Sequence, residues 1–362
     1  MPVSRRGFLI TQGAFGAQIA SAQSGETGAE SLTVATPRRA DQPIQIASTQ
    51  SFEPAEIDRI EAAAPGVKLK LYGRGTGWTE ILRDAEVVIG ELPDDALHNG
   101  EKLKWLQASG AGMEWMGPEL RRSPLLVTNC ARTFAPGITE TGMGLLLSLT
   151  RGISTYYMPQ FYKRRLRPVG TPRSRDHIEL AGRTMGIVGL GGIGSAMARR
   201  AHHGFDMRVV ATDAKPLPKP EYVDELHDPT WFPEMAAKVD VLVAAAPHTP
   251  QTESMFNDTI FRSMRKGSYF LALSRGKLYD EMALIRALKE GPLAGAGLDV
   301  FPIEPVPDDH AIYNLPNVVM TPHTSGWGQE RQGRLIDLYV ENIRRYSIGE
   351  PLLNMVDKIR GY

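Results

Sequence analysis

Three side chains that could carry acid–base and anion chemistry stand in the second half of the chain. Arg275, Glu304 and His323 each follow a short apolar run that reads as a buried strand. Taken singly, residues of these types more often have structural roles, as a surface arginine, a solvated loop carboxylate and a structural histidine. Parallel strands present their carboxyl ends at one edge of a sheet, where ligands bind, so we expect the three side chains to meet there.

The combination predicts proton transfer on a small anion. Glu304 and His323 are 19 residues apart and follow neighbouring predicted strands. A carboxylate bonded to imidazole fixes its tautomer and raises its pKa, which would make His323 a proton donor near neutral pH. The guanidinium of Arg275 is a planar fork of donors that matches a carboxylate. A nicotinamide cofactor would supply the hydride and the protein the proton.

A place for such a cofactor is predicted in Thr184–Asp213, which reads as strand, tight turn, helix, strand and acid. Its glycines are Gly189, Gly191, Gly192 and Gly194. Gly189 permits the sharp turn, Gly191 lets the backbone approach a pyrophosphate, and Gly194 lets the helix pack closely on the strand. The helix beginning near Ile193 would offer unpaired N–H groups and its positive dipole end to the pyrophosphate.

Asp213 follows Gly194 by 19 residues. At that position a carboxylate accepts hydrogen bonds from a ribose 2′-hydroxyl and repels a 2′-phosphate, which favours NAD over NADP. Lys215 leaves NADP open as the less favoured cofactor. The alternative is a structural βαβ turn in which Asp213 is a solvated strand end.

Composition excludes several classes of protein. The 362 residues suffice for two domains, and 41 basic residues balance 41 acidic ones, so no overall field favours nucleic acid or a membrane surface. With Cys130 alone, neither an intramolecular disulfide nor a cysteine metal site is possible, and the histidine spacing predicts no metal. No apolar run approaches the roughly 18 residues of a membrane span, so we expect no membrane anchor.

The first 22 residues predict an export signal. Arg5-Arg6 precede Phe8-Leu9-Ile10, and a small-residue stretch ends in Ala20-Ser21-Ala22, which suits cleavage before residue 23. The arginine pair resembles a twin-arginine signal, which implies a translocase partner and a periplasmic location. Residues 23–43 read as a linker. If the arginines belong only to a disordered start, the protein is cytoplasmic.

Strands alternate with short helices from residue 44 onward, which predicts an α/β fold of two doubly wound parallel-sheet domains. We expect a flavodoxin-like substrate domain over 44–136, completed by 329–362 because the helix Gln329–Ser347 returns to it. A Rossmann NAD domain would occupy 137–328 and begin with an inter-domain helix, Gly137–Phe161.

Four ordered motifs carry a resemblance to a known family. They are the glycine loop Gly189–Gly194, the segment Ser274–Leu284, the segment Gly297–Pro305, and Thr321-Pro322-His323. From about Ile44 to its end, the chain resembles the D-2-hydroxyacid dehydrogenases. The resemblance implies an NAD-dependent oxidoreductase that interconverts a 2-oxo acid and a D-2-hydroxy acid in an inter-domain cleft, and a homodimer formed through the NAD domains.

The resemblance also assigns roles to residues. His323 would be the general acid/base, Glu304 its orienting carboxylate, Arg275 the substrate clamp and carbonyl polariser, and Asp299 the residue that orients the nicotinamide carboxamide. The loop that contains Pro247 and Thr252 would lie under the adenosine. The backbone of Ser109, Gly110, Ala111 and Gly112 would cradle the substrate carboxylate. Two departures stand out: Ala272 replaces a usual asparagine, and no tryptophan occurs near Val169.

Other activities stay open on the same scaffold. Reduction of glyoxylate or hydroxypyruvate, and oxidation of formate or phosphonate, would use the same catalytic set. A different class, an NAD-responsive binding protein resembling the C-terminal-binding-protein corepressors, needs no turnover at all. The intact set of Arg275, Glu304 and His323 argues against it.

Overall fold

The computed structural model describes residues 43–73, 75–167 and 177–362. They form two parallel sheets of five and seven strands, each covered by helices, which confirms the predicted α/β fold of two doubly wound units. The predicted signal 1–22, the linker up to residue 42, and Val169 lie outside the described residues. Within the described ranges, no helix combines the length and the apolar character needed to cross a membrane.

The first sheet has the order β2-β1-β3-β4-β5, the flavodoxin-like order in which β1 marks the switch point. Its strands are Ile44–Ser48 (β1), Val67–Leu71 (β2), Val87–Ile89 (β3), Trp105–Gln107 (β4) and Leu126–Thr128 (β5). The helices beside it are Pro54–Glu61 (α1), Trp78–Leu82 (α2) and Pro118–Arg122 (α3). The strands β3 and β4 are buried at every position, so β3 is apolar throughout, while the buried Gln107 of β4 is hydrogen-bonded to Thr128 and Asn342.

The last helix of the chain, Arg331–Ile348 (α10), completes the core of this first sheet. Its apolar face, built around Ile336, Tyr339 and Ile343, packs in one cluster with Ile44 and Trp105. The end of the chain therefore packs with the first sheet.

The second sheet has the order β12-β11-β10-β9-β6-β7-β8, a Rossmann arrangement with an added edge strand. Its strands are Thr184–Val188 (β6), Arg208–Thr212 (β7), Glu225–His227 (β8), Val241–Ala244 (β9), Ser268–Ala272 (β10), Leu293–Leu298 (β11) and Val318–Met320 (β12). Its helices include Gly192–Phe205 (α6), Phe232–Ala236 (α7), Asp258–Ser263 (α8) and Glu281–Lys289 (α9). The order reverses between β6 and β9, and the glycine loop lies at that switch point.

The inter-domain segment differs from the single helix predicted over Gly137–Phe161. Helix Ala135–Thr150 (α4) stops before Gly152, whose left-handed φ of 67° ends the helical path. A π-helical turn, Ile153–Tyr157, and the short helix Met158–Tyr162 (α5) follow. The apolar face of α4 belongs to the core of the second sheet, so α4 packs with that sheet.

Candidate active site

The three predicted chemical side chains meet at one edge of the second sheet. Strands β10, β11 and β12 are adjacent and parallel. Arg275, Glu304 and His323 follow them in that order and line one cavity of about 300 Å³. The expectation that the carboxyl ends of neighbouring strands would bring these residues together matches their placement.

His323 and Glu304 form a direct acid–base pair. The ring Nδ1 lies 2.7 Å from Glu304 Oε2, while Oε1 of the same carboxylate accepts from the Phe301 amide at 2.8 Å. A carboxylate at this distance selects the tautomer or protonation state that carries hydrogen on Nδ1. In the described part of the chain, Nε2 has no hydrogen-bond partner, and the ring is 45% exposed. The free nitrogen is therefore available to a ligand in the cavity.

Asp299 holds the loop that carries His323. The side chain is 1% exposed, and its Oδ1 accepts from Thr321 Oγ1 at 2.7 Å and from the amides of Thr324 and Ser325 at 3.1 Å. Its Oδ2 accepts a short hydrogen bond from Ser325 Oγ. The Asp299 carbonyl also accepts from the His323 amide at 2.7 Å, and His323 itself has φ 55°. These bonds fix a backbone conformation that a non-glycine residue rarely adopts.

Arg275 is positioned by both domains. A Cβ on Gly276 would overlap the Phe301 backbone, so the turn after β10 packs directly against the loop after β11. Arg275 Nη1 donates to the Ser274 carbonyl at 2.7 Å. From the other domain, Glu114 accepts from Nε at 2.7 Å and from Nη2 at 3.4 Å.

Sequence reasoning missed Glu114. It lies two residues after the predicted substrate loop, yet its partner is 161 positions away, so no local pattern links them. The only signal in the sequence was a carboxylate shortly after the glycine-containing loop that follows β4. His248 was also missed as a lining residue: its ring is 17% exposed, and its Nε2 makes no hydrogen bond within the described residues.

Two carbonyls of the predicted substrate loop Ser109–Gly112 accept hydrogen bonds from the segment after β5. The Gly110 carbonyl accepts from the Cys130 amide and the Ala111 carbonyl from Asn129 Nδ2, each at 2.8 Å. In the described chain, the amide N–H groups of residues 110–112 donate to no acceptor. A Cβ at Gly112 would overlap the Arg275 guanidinium, so the loop and the clamp arginine are in direct contact.

The glycine loop has the close approaches that its sequence predicts. Gly189 has φ 92°, and a Cβ there would lie 2.7 Å from the Ala246 backbone at the end of β9. A Cβ at Gly194 would overlap the Gly189 carbonyl, so only glycine lets α6 pack this closely on β6. Gly191 faces open space, with no atom within 4 Å of the position that a Cβ would take. Gly192 instead faces Arg132: a Cβ on Gly192 would lie 2.8 Å from the Arg132 Cα, a close approach that was not expected.

Asp213 ends β7 beside this loop. Its Oδ2 accepts from the Leu190 amide at 2.7 Å and its Oδ1 from the Lys215 amide at 2.8 Å. The Lys215 ammonium lies 4.4 Å from the ring centre of Tyr362. Burial lowers the pKa of Lys215, and Arg360 acts in the same direction.

The predicted adenosine loop follows β9, next to the glycine loop. Thr252 Oγ1 donates to the Pro247 carbonyl at 2.8 Å and accepts from the Thr249 amide at 2.8 Å, which closes a compact turn. Ala272 is fully buried in β10, and its carbonyl accepts from the Asp299 amide at 3.0 Å. Among the described residues, no group of His, Cys, Asp or Glu is arranged to hold a metal ion.

These features fit a dinucleotide. The open face at Gly191, the α6 amides without acceptors in the described chain, and the carboxylate of Asp213 lie along one edge, at the switch point between β6 and β9. Helix N-terminal amides suit a pyrophosphate, and a strand-end carboxylate suits ribose hydroxyls. The same edge continues to Arg275 and His323, where a nicotinamide end would meet the substrate cavity.

Comparison with known proteins agrees with this geometry. Residues 143–325 match the family of the D-isomer specific 2-hydroxyacid dehydrogenase NAD binding domain. A D-3-phosphoglycerate dehydrogenase of Methanocaldococcus jannaschii is 30% identical over 314 residues, which cover 83% of this chain but 56% of that protein. The chain thus spans about half the length of that relative.

Two further relatives are covered more fully. A glyoxylate reductase of Thermofilum pendens is 30% identical over 286 residues, covering 76% of this chain and 83% of that protein. The crystal structure of a D-isomer specific 2-hydroxyacid dehydrogenase from Xanthobacter autotrophicus Py2, in complex with NADPH and MES, has a TM-score of 0.73 and 27% identity. The match covers 88% of this chain and 99% of the Xanthobacter autotrophicus chain. The chain belongs to the D-isomer specific 2-hydroxyacid dehydrogenase family, and residues 143–325 form its NAD-binding domain.

Proposed function

We propose that the protein is an NAD-dependent oxidoreductase that interconverts a small 2-oxo acid and the corresponding D-2-hydroxy acid. The observation that carries the proposal is the cavity shared by Arg275 and the His323–Glu304 pair, beside a dinucleotide-binding edge. The glyoxylate reductase activity of the Thermofilum pendens relative supports a substrate of this size.

The chain's own groups divide the work. The glycine loop and Asp213 would hold NAD, which when bound would supply the hydride chemistry. The unpaired amides of residues 110–112 bind the substrate carboxylate, and Arg275 holds the anion and stabilises charge that develops on the carbonyl oxygen. His323 gives a proton from Nε2 to that oxygen in reduction and takes it back in oxidation. Glu304 keeps the ring oriented through Nδ1 at 2.7 Å.

The test is NADH oxidation by purified protein with glyoxylate, hydroxypyruvate and pyruvate. We expect turnover with at least one of them, and His323→Ala should lose about a hundredfold or more of the rate, as general acid–base catalysis contributes. His310→Ala removes a histidine that pairs with Glu281 outside the cavity and serves as the matched control. Equal, negligible rates for wild type and His323→Ala over a broad panel would refute the proposal and favour a binding role.

NAD is the preferred cofactor in this proposal, because Asp213 places a carboxylate where a 2′-phosphate would have to lie. The NADPH bound by the Xanthobacter autotrophicus relative and the nearby Lys215 keep NADP as the weaker alternative. Fluorescence titration with both reduced nucleotides measures the ratio of their dissociation constants. Tighter binding of NADPH than of NADH would overturn this assignment.

A homodimer is proposed through the NAD-domain side. The support is a groove of about 680 Å³ between α4 and α6, in which Leu147 and Phe205 lie beside Glu140, Arg199 and Arg200. Phe161 and Tyr162, the last two residues of α5, are also exposed, at 60% and 75%. Light scattering should give twice the chain mass, and Leu147→Lys should lower it, whereas Leu217→Lys, at an exposed position elsewhere, should not. A monomeric wild type would refute the dimer.

Export to the periplasm through the twin-arginine translocase is proposed from the sequence of residues 1–22. Because that route carries folded proteins, we further propose that NAD is loaded before export and held during alternating oxidation and reduction of two substrates. Cell fractionation and mass spectrometry of the native protein report compartment, cleavage and bound nucleotide together. Arg5→Lys with Arg6→Lys should keep the protein in the cytoplasm, and a wild type found only there would refute export.

A further inference from the structure

The guanidinium of Arg275 is held on one edge by a carboxylate from the opposite domain. Glu114 Oε1 lies 2.7 Å from Nε and Oε2 lies 3.4 Å from Nη2, so the pair has the two-point geometry typical of arginine with a carboxylate. Both side chains are about one-third exposed, at 31% and 34%. The pair lies in the wall of the same cavity as His323 and Glu304.

This edge is the one that a substrate carboxylate would need. Nη1, on the other side of the guanidinium, already donates to the Ser274 carbonyl at 2.7 Å. A carboxylate that binds Arg275 side-on at two points needs Nε and Nη2, and Glu114 occupies both of these donors. Glu114 presents to Arg275 the same chemical group as the proposed substrate.

The carboxylate of Glu114 also lies over the predicted anion loop. A Cβ at Gly112 would overlap both Arg275 Nη2 and Glu114 Oε2, so the ion pair rests directly on that residue. In the described chain, the neighbouring amides of residues 110–112 have no acceptor. The donors that would bind a substrate anion therefore lie around a carboxylate of the protein itself, that of Glu114.

We propose that Glu114 is a specificity-determining residue that competes with the substrate carboxylate for Arg275. This rests on the proposed function. A 2-oxo acid with one carboxylate displaces Glu114 from the fork. Because Glu114 is only two residues from Gly112, the displaced carboxylate stays at the cavity wall and repels a second negative charge on the substrate. The enzyme therefore selects monoanionic 2-oxo acids against dicarboxylic ones.

The decisive variant is Glu114→Gln, which keeps the shape and removes the charge. Glu119→Gln is the matched control, because it removes the same charge five residues later, at an exposed position in the first turn of α3. Steady-state kinetics with pyruvate and with oxaloacetate, run with NADH, separates KM from kcat. Calorimetry of oxamate binding to the NADH complex measures affinity without turnover.

In Glu114→Gln, we expect KM for pyruvate to fall several-fold with a much smaller change in kcat, and the oxamate dissociation constant to fall in parallel. The preference for pyruvate over oxaloacetate should drop by about tenfold, since like-charge juxtaposition is removed. Glu119→Gln should match the wild type in KM for pyruvate, in the oxamate dissociation constant and in the preference for pyruvate over oxaloacetate. Glu114→Asp, which keeps the charge, should retain the preference.

Two results would overturn the proposal. If Glu114→Gln loses kcat and binds oxamate more weakly, the residue positions Arg275 rather than competing for it. If affinity and preference both stay at the wild-type values, Glu114 has no role in selection. Failure of the proposed function looks different, because wild type would then turn over no 2-oxo acid, and the oxamate titration would still show whether Glu114 competes for Arg275.

Discussion

Replacing Asp299 by alanine should destabilise the protein even when no nucleotide is bound. The carboxylate is 1% exposed and accepts from Thr321 Oγ1, two backbone amides and Ser325 Oγ. Asp299→Ala leaves the buried donors of Ser325 and the half-buried donors of Thr321 and Thr324 without this acceptor, and it also leaves a cavity. Removing one member of a buried charged network typically costs about 3–5 kcal/mol, and single bonds to a charged group about 1.5–3 kcal/mol each, non-additively.

For a domain of this size, each kcal/mol shifts the midpoint of thermal unfolding by about 2–4 °C, so we expect a fall of about 10 °C. Differential scanning calorimetry without nucleotide measures it. Asp309→Ala, at an exposed position, is the control and should shift the midpoint by no more than about 1–2 °C. Asp299→Asn should fall in between, because its amide oxygen still accepts the bonds now made to Oδ1.

The same experiment separates two roles of Asp299. If the residue acts only by orienting the nicotinamide, the nucleotide-free variant should melt with the wild type. That result would refute the reasoning that Asp299 anchors the loop of His323. A large fall, accompanied by loss of turnover, would instead show that the catalytic histidine depends on this buried carboxylate for its position.

Three further predictions concern other parts of the chain. Gly112→Ala should lower kcat/KM by about a hundredfold, because its Cβ would displace Arg275. Gly110→Ala is the control and should lower kcat/KM far less, because no atom lies within 4 Å of the position of its Cβ. A similar loss of kcat/KM in both variants would contradict this reasoning. Burial raises the pKa of the Cys130 thiol to about 12, so iodoacetamide should label it only after unfolding, and rapid labelling of the native protein would be the contrary result. Asp213→Ala should weaken NADH binding by roughly tenfold or more and bring the dissociation constants of NADH and NADPH closer together, as nucleotide titration would show. An unchanged ratio of the two dissociation constants would count against the proposed contact of Asp213 with the ribose.

The fold was accessible from the sequence because its signals are local. Most strands of the second sheet are short apolar runs, although β8, Glu225–His227, is not, and the glycines that the turn after β6 requires lie close together in the chain. The end of the inter-domain helix was not accessible, since the apolar periodicity continues past the break. Gly152 stops α4 by taking a left-handed conformation, which glycine permits but does not require.

The site was accessible only in part, for a related reason. Arg275, Glu304 and His323 could be grouped because neighbouring parallel strands share an edge, which is a rule of topology. The anchoring by Asp299 depends on how one loop folds back over another, and the Glu114 contact depends on how two domains meet. Neither relation leaves a spacing that a single sequence can reveal.

Arg275 shows why that second relation matters for function. Its Nη1 is fixed within the domain of the second sheet, but Nε and Nη2 are held by Glu114 from the domain of the first sheet. Gly112 leaves room for the guanidinium only because it lacks a side chain. The guanidinium of Arg275 therefore takes this position only when the two domains are in contact. An anion that replaces Glu114 on the fork must satisfy donors from both domains at once, so substrate binding itself favours the arrangement in which His323 faces the substrate.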